Sequence, residues 1–281
     1  MSALNNKIDF AVILSVTNAN PNGDPLNGNR PRINYDGHGE ISDVCIKRKI
    51  RNRLMDMGEP VFVQSDDRRN DGYKSLQDRA KGCEAVQKAA KDKDAYAKAA
   101  CEAWTDVRSF GLVFAFKGED VSVGVRGPVS VHPAISVDPV DLVSIQITKS
   151  VNSVTESKKS SDTMGMKHRV PFGLYIFYGS INCQLAEKTG FSREDADKIK
   201  EALRTLFEND ASSARPDGSM EVCKLYWWEH GCKCGQHSSA KVHHSLHVQK
   251  KEGVDIPHSF ADYVVTLDPL ADLEPEICDG I

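Results

Sequence analysis

The segment IDFAVILSVT, residues 8–17, constrains the fold more than any other part of the sequence. Apolar side chains recur at every second position and therefore share one face of an extended chain: Ile8, Phe10, Val12, Leu14 and Val16. Polar side chains on the other face, at Asp9, Ser15 and Thr17, predict a half-buried β-strand. A Gly/Asn/Pro-rich loop of unusual length follows in residues 18–39, and loops of this kind are typically functional or disordered.

The order of the remaining segments indicates an α+β fold. Residues 60–107 are polar, charged and rich in Ala, which predicts a helical insertion. Strand-like sequence returns from residue 108, and SREDADKIKEALRTLFEND predicts an amphipathic helix with Ser192 as its N-cap. Strands are predicted at KLYWWEH, KVHHSLHV and ADYVVTLDP. This order is consistent with an RNA-recognition-motif-like (ferredoxin-like) sheet that carries insertions.

The most basic segment is ISDVCIKRKIRNRL, residues 41–54. Ile46, Ile50 and Leu54 recur every four residues, which predicts a helix with Ser42 as its N-cap. We expect no acidic side chain four residues away inside the helix to balance the cations, so an anionic partner would offset their charge. The cations of the helix are Lys47, Arg48, Lys49, Arg51 and Arg53. A solvated helix face is the alternative interpretation.

The loop before this helix adds Arg30 and Arg32. Lys and Arg neutralise phosphates whatever the base sequence, and a Gly-rich loop can bring backbone N–H groups close to a phosphate. The loop and the helix together therefore predict binding to a nucleic-acid backbone without sequence preference.

Residues 152–169, NSVTESKKSSDTMGMKHR, lie between two strand-like segments and predict a protruding hairpin or flexible arm. Met164 and Met166 are candidate apolar wedges that could enter between stacked bases. An ordinary mobile hairpin is the alternative. The candidate RNA-binding cations of the arm are Lys149, Lys167, His168 and Arg169, with Lys158 and Lys159 nearby.

The segment HGCKCGQHSSAKVHHSLH gathers residues that bind zinc in other proteins: His230, Cys232, Cys234, His237, His243, His244 and His247. Its C-x-C-x₂-H spacing is not that of a standard structural zinc site, so we predict ordinary strand and loop residues and no metal or other cofactor. Catalytic motifs of the GxSxG, HExxH or P-loop type are absent from the sequence. Asp24 and Asp36 in the long loop, and His38, His132 and His168, remain candidate acid–base groups.

The formal net charge is −4, but the charge is unevenly distributed. Residues 253–281 contain no Lys or Arg, and all their charged side chains are acidic, so the rest of the chain is net basic. A basic and an acidic surface on one molecule favour head-to-tail self-association. The sequence shows no signal-peptide pattern and no apolar run long enough to span a bilayer, so we expect a cytoplasmic protein without membrane contact.

Several motifs in fixed order resemble the CRISPR-associated backbone subunit of type I Cascade complexes, with the type I-C form the most similar. These motifs are NPNGD, GNRPR, ISDVCIKRKIRNRL, GPVSVHPAISVDPV, ITKS and MGMKHRVPFGLYIFYGSIN, and they extend from residue 8 to about residue 182. The resemblance implies a member of the RAMP superfamily that stacks in several copies along one guide crRNA in antiviral defence. Its partners would be crRNA, target DNA in the heteroduplex, further copies of itself, and the large, small and RNA-processing Cascade subunits.

The resemblance also implies a hand-shaped organisation. The palm would comprise residues 1–59, 108–146 and 170–281, the fingers insertion residues 60–107, and the thumb residues 147–169. The thumb would cross the guide and displace bases at intervals, with Met164 and Met166 as the wedge, while the basic helix holds phosphates.

Two other function classes stay open at the level of sequence. Relatives in the same superfamily cleave RNA with an acidic residue in the loop after the first strand, and Asp24 and Asp36 occupy a comparable loop. An RNA endonuclease is therefore the main alternative to a non-catalytic scaffold. A zinc-binding interaction module is the second alternative, and it rests on the Cys/His segment alone.

Overall fold

The structure is a computed structural model, and it describes residues 2–116, 122–148 and 164–281. The helices in these residues are α1 (Asp43–Asp56), α2 (Leu76–Gly82), α3 (Glu84–Lys88), α4 (Lys93–Ala103), α5 (Thr105–Phe110), α6 (Cys183–Thr189), α7 (Arg193–Arg204) and α8 (Ser239–His244). The strands are β1 (Ile8–Ala19), β2 (Gly23–Asp24), β3 (Arg30–Pro31), β4 (His38–Ile41), β5 (Gly111–Phe114), β6 (Val123–Arg126), β7 (Val129–Val131), β8 (Ala134–Pro139), β9 (Val143–Thr148), β10 (Met164–Ile181), β11 (Met220–Glu229), β12 (Leu246–Lys250), β13 (Tyr263–Leu267) and β14 (Glu276–Asp279). Short 3₁₀ turns lie at Pro25–Asn27 and Phe260–Asp262.

The fold is built on one large antiparallel sheet with the strand order β14-β11-β1-β10-β8-β4. The long strand β10 also pairs with β7 and β9. The register of β1 against β10 runs from Ile8 opposite Ile181 to Ala19 opposite Val170. The predicted α+β class is therefore confirmed at the level of a mixed fold with a mainly antiparallel sheet.

Strand β1 is central in this sheet and is buried on both faces, so the prediction of a half-buried strand was wrong. Phe10 and Val12 belong to the main core, which the stripe of α1 and the inner face of α7 complete. Ala11 and Ile13 belong to a second cluster with Trp228 and Val242. The second face is covered by α8 and the β12–β13 hairpin, which lie more than two hundred residues away in sequence. The alternating pattern of β1 carries no information about segments so far away in sequence that pack on its second face.

The region predicted as a helical insertion contains α2, α3, α4 and the first half of α5. It has its own hydrophobic cluster, in which Phe62 packs against Trp104 and Phe114, with ring centroids 4.5 and 5.1 Å apart. The cluster also includes Val123, so it draws on the β5–β6 hairpin beyond the predicted end of the fingers insertion. This region and the sheet therefore have separate cores.

The segment KVHHSLHV was predicted as one strand, and the prediction was wrong in its first half. Residues 239–244 form α8, with Ser238 as a cap that accepts a hydrogen bond from Lys241 N, and β12 begins only at Leu246. The Ser cap explains the helix, because it satisfies a backbone N–H of the first turn. Among the residues that the structure describes, no helix is long and apolar enough to cross a membrane.

Candidate nucleic-acid interface

Helix α1 forms as its sequence predicts. The Ser42 side chain accepts a hydrogen bond from Cys45 N at 3.3 Å, and Asp43 lies in the first turn, where its negative charge suits the helix dipole. Ile46, Ile50 and Leu54 are fully buried in the main core. This burial fixes which helix face carries the cations.

The cations of α1 have more protein partners than the sequence pattern predicted. Lys47 forms an ion pair with Asp43 at 2.9 Å, one turn before it in the same helix. The expectation that no acidic side chain lies four residues away was therefore wrong. The Arg48 guanidinium donates a hydrogen bond to the carbonyl of Val63, in the loop after the helix, at 2.7 Å.

Three further cations of α1 bind groups from distant parts of the chain. Arg51 Nε donates to the buried carboxylate of Asp106 at 2.9 Å, and its guanidinium lies 5.0 Å from the centre of the Phe110 ring. Arg53 Nε donates to Thr205 Oγ1 at 2.6 Å. Lys49 forms an ion pair with Asp210.

Lys49 is the least accessible of these cations, with only 4% of its side chain exposed. Burial lowers the pKa of its ammonium, and the nearby Asp210 carboxylate opposes that shift. A charge in this position is held by a protein partner and is separated from solvent. The geometry thus divides α1 into cations bound to side chains from distant segments, Lys49, Arg51 and Arg53, and the half-buried Lys47 and Arg48, which bind a side chain of the same helix and a backbone carbonyl.

The predicted arm is a two-stranded hairpin that continues directly from the central sheet. Residues 164–169 of β10 pair with β9, and from Val170 the same strand pairs with β1. Met164 and Met166 are 59% and 54% exposed. The hairpin therefore extends beyond the body of the sheet, and its two candidate wedge residues are accessible.

The register separates the candidate residues of the arm onto two faces. Met164, Met166 and His168 alternate along β10 and share one face, whereas Lys167 and Arg169 share the other. His168 is nearly buried, and its Nδ1 lies 2.8 Å from Ser144 Oγ on the paired strand. Lys149, Lys158 and Lys159, also candidates, lie outside the described residues.

Backbone segments that carry four arginines meet at the end of β1, around the buried Asn20. Asn20 Nδ2 donates to the carbonyl of Asn29, next to Arg30, and Asn20 N donates to the carbonyl of Ala214, next to Arg215. Ala19 stands opposite Val170 in the sheet, which brings Arg169 to the same point, and the Arg32 N–H donates to the carbonyl of Asn22. We call Arg30, Arg32, Arg169 and Arg215 the Asn20 cluster.

Charge around the Asn20 cluster is only partly balanced. Asp24 lies 3.7 Å from Arg32, and Asp210 lies 3.4 Å from Arg215. Arg30 and Arg169 have no ion-pair partner among the residues that the structure describes. Arg215 could not be identified from the sequence, because nothing in the loop sequence SSARPDG connects it to a helix more than 150 residues earlier.

The Cys/His segment is dispersed over structural contacts. His230 Nε2 lies 2.8 Å from Asp9 Oδ2, and His243 Nε2 lies 3.1 Å from the Gly179 carbonyl. His237 contacts the Ala271 carbonyl, and His247 contacts Asp268. Within residues 2–116, 122–148 and 164–281, no group of three or more His, Cys, Asp or Glu side chains is arranged to hold a metal ion.

The two candidate acidic residues of the long loop act locally. Asp24 accepts a hydrogen bond from Leu26 N at 3.1 Å and caps the 3₁₀ turn. Asp36 accepts from His38 N at 3.2 Å, and this backbone hydrogen bond lowers the pKa of its carboxyl. Both therefore have a structural role as turn-forming residues, as Asp commonly does.

The structure is thus an α+β protein built on an antiparallel sheet. The hairpin that extends from the sheet and the arginines at its edge form a basic surface. The family model described as "CRISPR-associated protein Cas7" matches residues 6–268, which is most of the chain. The chain therefore belongs to the CRISPR-associated protein Cas7 family, and the predicted resemblance is confirmed at family level.

A curated relative agrees with this assignment. The chain is 26% identical over 227 residues to a CRISPR-associated protein Cas7 from Haloferax volcanii, a match that covers 74% of this chain. The match spans slightly less than two thirds, 66%, of that relative's own length.

One solved structure supports the fold. A chain of a "CRISPR RNA-guided surveillance complex, pre-nicking" is similar with a TM-score of 0.53 and 17% identity, over 79% of this chain and 78% of that chain. A chain of another CRISPR RNA-guided surveillance complex has a TM-score of 0.45 and 16% identity, over 79% of this chain and 68% of that chain.

Proposed function

We propose that this chain is a non-catalytic backbone subunit of a type I-C Cascade surveillance complex, which binds guide crRNA along its phosphate backbone in several stacked copies. Membership of the Cas7 family carries this proposal. The basic surface at the end of β1 and on the hairpin supports it, because Lys and Arg bind phosphates without reading the bases. The bases would then remain free to pair with target DNA.

The hand-shaped organisation belongs to the same proposal. The RNA-recognition-motif-like palm would be the large sheet with α1 and α7, and the fingers would be the region with the separate Phe62 core. The thumb would be residues 147–169, which include the part of β10 that pairs with β9. Met164 and Met166 would insert beside a displaced base on one hairpin face, and Lys167 and Arg169 would contact phosphates from the other.

The predicted RNA contacts divide according to their partners in the structure. We assign phosphate binding to the cations that are not bound to a side chain from a distant part of the chain, which are Arg30, Arg32, Lys47, Arg48, Lys167 and Arg169. Lys49, Arg51 and Arg53 instead support the helix that carries this surface, since each is bound to a side chain from a distant part of the chain. Neighbouring copies, target DNA and the other Cascade subunits are partners that the family membership implies.

The test is the mass of the particle that the purified chain forms with guide-length RNA, measured with Mg²⁺ present. We expect several copies on each RNA, and we expect the RNA to stay intact. One copy per RNA at saturating protein would contradict stacking. RNA cleavage that disappears in Asp24→Ala or Asp36→Ala would instead support the endonuclease alternative.

A further inference from the structure

The Asn20 cluster gathers cations from parts of the chain that are far apart in sequence. Arg30 comes from the long loop, Arg169 from the base of the hairpin, and Arg215 from the loop after α7. Asn20 holds the first and last of these loops through its own hydrogen bonds, at 2.7 Å to Asn29 O and 2.9 Å to Ala214 O. A buried residue at the end of a central strand is a rigid support, so the three positions are fixed relative to one another.

The surroundings of Cys45 place Arg215 near Arg32 and the start of α1. Burial raises the pKa of the Cys45 thiol, while the positive charges of Lys49, Arg215 and Arg32 lower it. Arg215 therefore lies within electrostatic reach of the first turn of α1, beside the predicted phosphate-binding residues. Asp210 is the acidic group among them, and Lys49 and Arg215 share it.

Hydrogen-bond donors in the cluster remain unsatisfied. The buried Nε–H groups of Arg32, Arg169 and Arg215 have no hydrogen-bond acceptor among the residues that the structure describes. Arg215 Nε lies 3.4 Å from Asp210 Oδ2, but it does not form a hydrogen bond there. Leaving a buried donor unpaired costs free energy, and an anionic oxygen can remove that cost.

We propose that Arg215 is a phosphate-binding residue, and that it holds one phosphodiester of single-stranded RNA together with Arg30 and Arg169 at the end of β1. This proposal rests on the proposed function and adds a residue from the C-terminal half of the chain to its site. The site would join the long loop, the hairpin and the loop after α7 around a single phosphate. Arginine suits this position because its planar fork binds two phosphate oxygens at once.

The test compares Arg215→Ala with Arg204→Ala in the full chain, with short single-stranded RNAs of unrelated sequence as the probe. Arg204 is the matched control, because its side chain is 30% exposed against 28% for Arg215, and each is paired with one acidic residue. In Arg215→Ala we expect roughly tenfold weaker RNA binding, with a log–log salt slope reduced by about 0.7. Arg204→Ala should bind as the wild type does.

A second variant guards against a folding defect in Arg215→Ala. Arg215→Lys keeps the charge beside Asp210 but loses the planar fork, so we expect an unchanged salt slope with an affinity a few-fold weaker than that of the wild type. Wild-type affinity in Arg215→Lys, or an unchanged slope in a folded Arg215→Ala, would overturn the assignment of Arg215. In that case the proposed function would still stand if the wild type binds RNA and Arg30→Ala weakens that binding. A wild-type chain that binds no RNA would contradict both proposals.

Discussion

Helix α1 and the Asn20 cluster are both rich in cations, but their cations differ in the groups that bind them. In α1, Lys49, Arg51 and Arg53 are bound to Asp210, Asp106 and Thr205. In the Asn20 cluster, Arg30 and Arg169 have no ion pair among the described residues. The comparison shows that a dense run of cations in a sequence includes some that the fold itself uses. We infer that the cations held by side chains from distant parts of the chain are structural, and that the others form the binding surface.

The largest expected effect comes from the buried partner of Arg51. Asp106 is fully buried, and its carboxylate accepts hydrogen bonds from Arg51 Nε, Phe62 N and Val63 N. Asp106→Ala leaves a cation and two backbone donors without their acceptor, so we expect a loss of about 4 kcal/mol in the free energy of unfolding. Denaturant titration measures this loss.

The control for Asp106 is the same substitution at Asp66, whose side chain is 93% exposed. It should change the unfolding free energy by less than about 0.5 kcal/mol. Equal effects of the two substitutions would show that the Arg51–Asp106 contact does not stabilise the fold, and would return Arg51 to the set of accessible cations.

A smaller effect, with a pH dependence, is expected at Asp195. Burial raises the pKa of this carboxyl, but hydrogen bonds from Arg108 and Ser192 outweigh burial and hold the pKa below its ordinary value. A lowered pKa in the folded state contributes stability above the unfolded-state pKa of about 3.9, and this contribution is lost as pH falls through the folded-state pKa. Asp195→Asn should therefore destabilise the protein by about 2–3 kcal/mol at neutral pH.

The pH profile distinguishes this effect from a simple packing defect. Below about pH 4 the unfolding free energy of Asp195→Asn should fall less steeply than that of the wild type. Asp197→Asn, on the same helix with a more exposed side chain, is the control and should keep the wild-type slope. A parallel acid slope in Asp195→Asn would rule out the ion pair with Arg108 as its source.

Lys49→Met should have a weaker effect on stability. The methionine fills the buried space of the lysine stem, and Asp210 keeps Arg215 as its partner at 3.4 Å. We expect a loss of about 1 kcal/mol and no change in the salt slope of RNA binding. Lys47→Met, on the same helix, should have the opposite effects: the unfolding free energy should stay near that of the wild type, and the salt slope of RNA binding should fall. A reduced slope in Lys49→Met would show that this buried lysine contacts RNA.

The sequence predicted local features of the site well and distant contacts poorly. The stripe of Ile46, Ile50 and Leu54 and the Ser42 cap were predictable, because residues within one or two helical turns determine them. The partners Asp106 and Asp210 lie 55 and 161 residues from their cations, and only the completed fold brings them together. The segments that meet around Asn20 are likewise brought together only by the completed fold.

Strand β1 illustrates the same limit for the fold. Its alternation correctly marks one buried face, but Asp9, on the face predicted to be polar and exposed, is fully buried. Burial would raise its carboxyl pKa, but hydrogen bonds from His230 and Lys7 keep that pKa below its ordinary value. His230 lies 221 residues from Asp9, so the pattern around residue 9 carries no sign of it.

The central claim is that the cations not bound to a side chain from a distant part of the chain are the ones that bind RNA, and the double variant Arg30→Ala/Lys167→Ala tests it most directly. Both side chains are exposed, so the unfolding free energy should stay within about 0.5 kcal/mol of the wild type. Lys241→Ala/Lys251→Ala removes the same charge from exposed positions outside the candidate surface, and serves as the control. We predict that the log–log salt slope of RNA binding falls by roughly 0.7 for each cation removed in the first variant and is unchanged in the control. Equal slopes for the two double variants would contradict the account, because RNA binding would then depend on total charge and not on this surface.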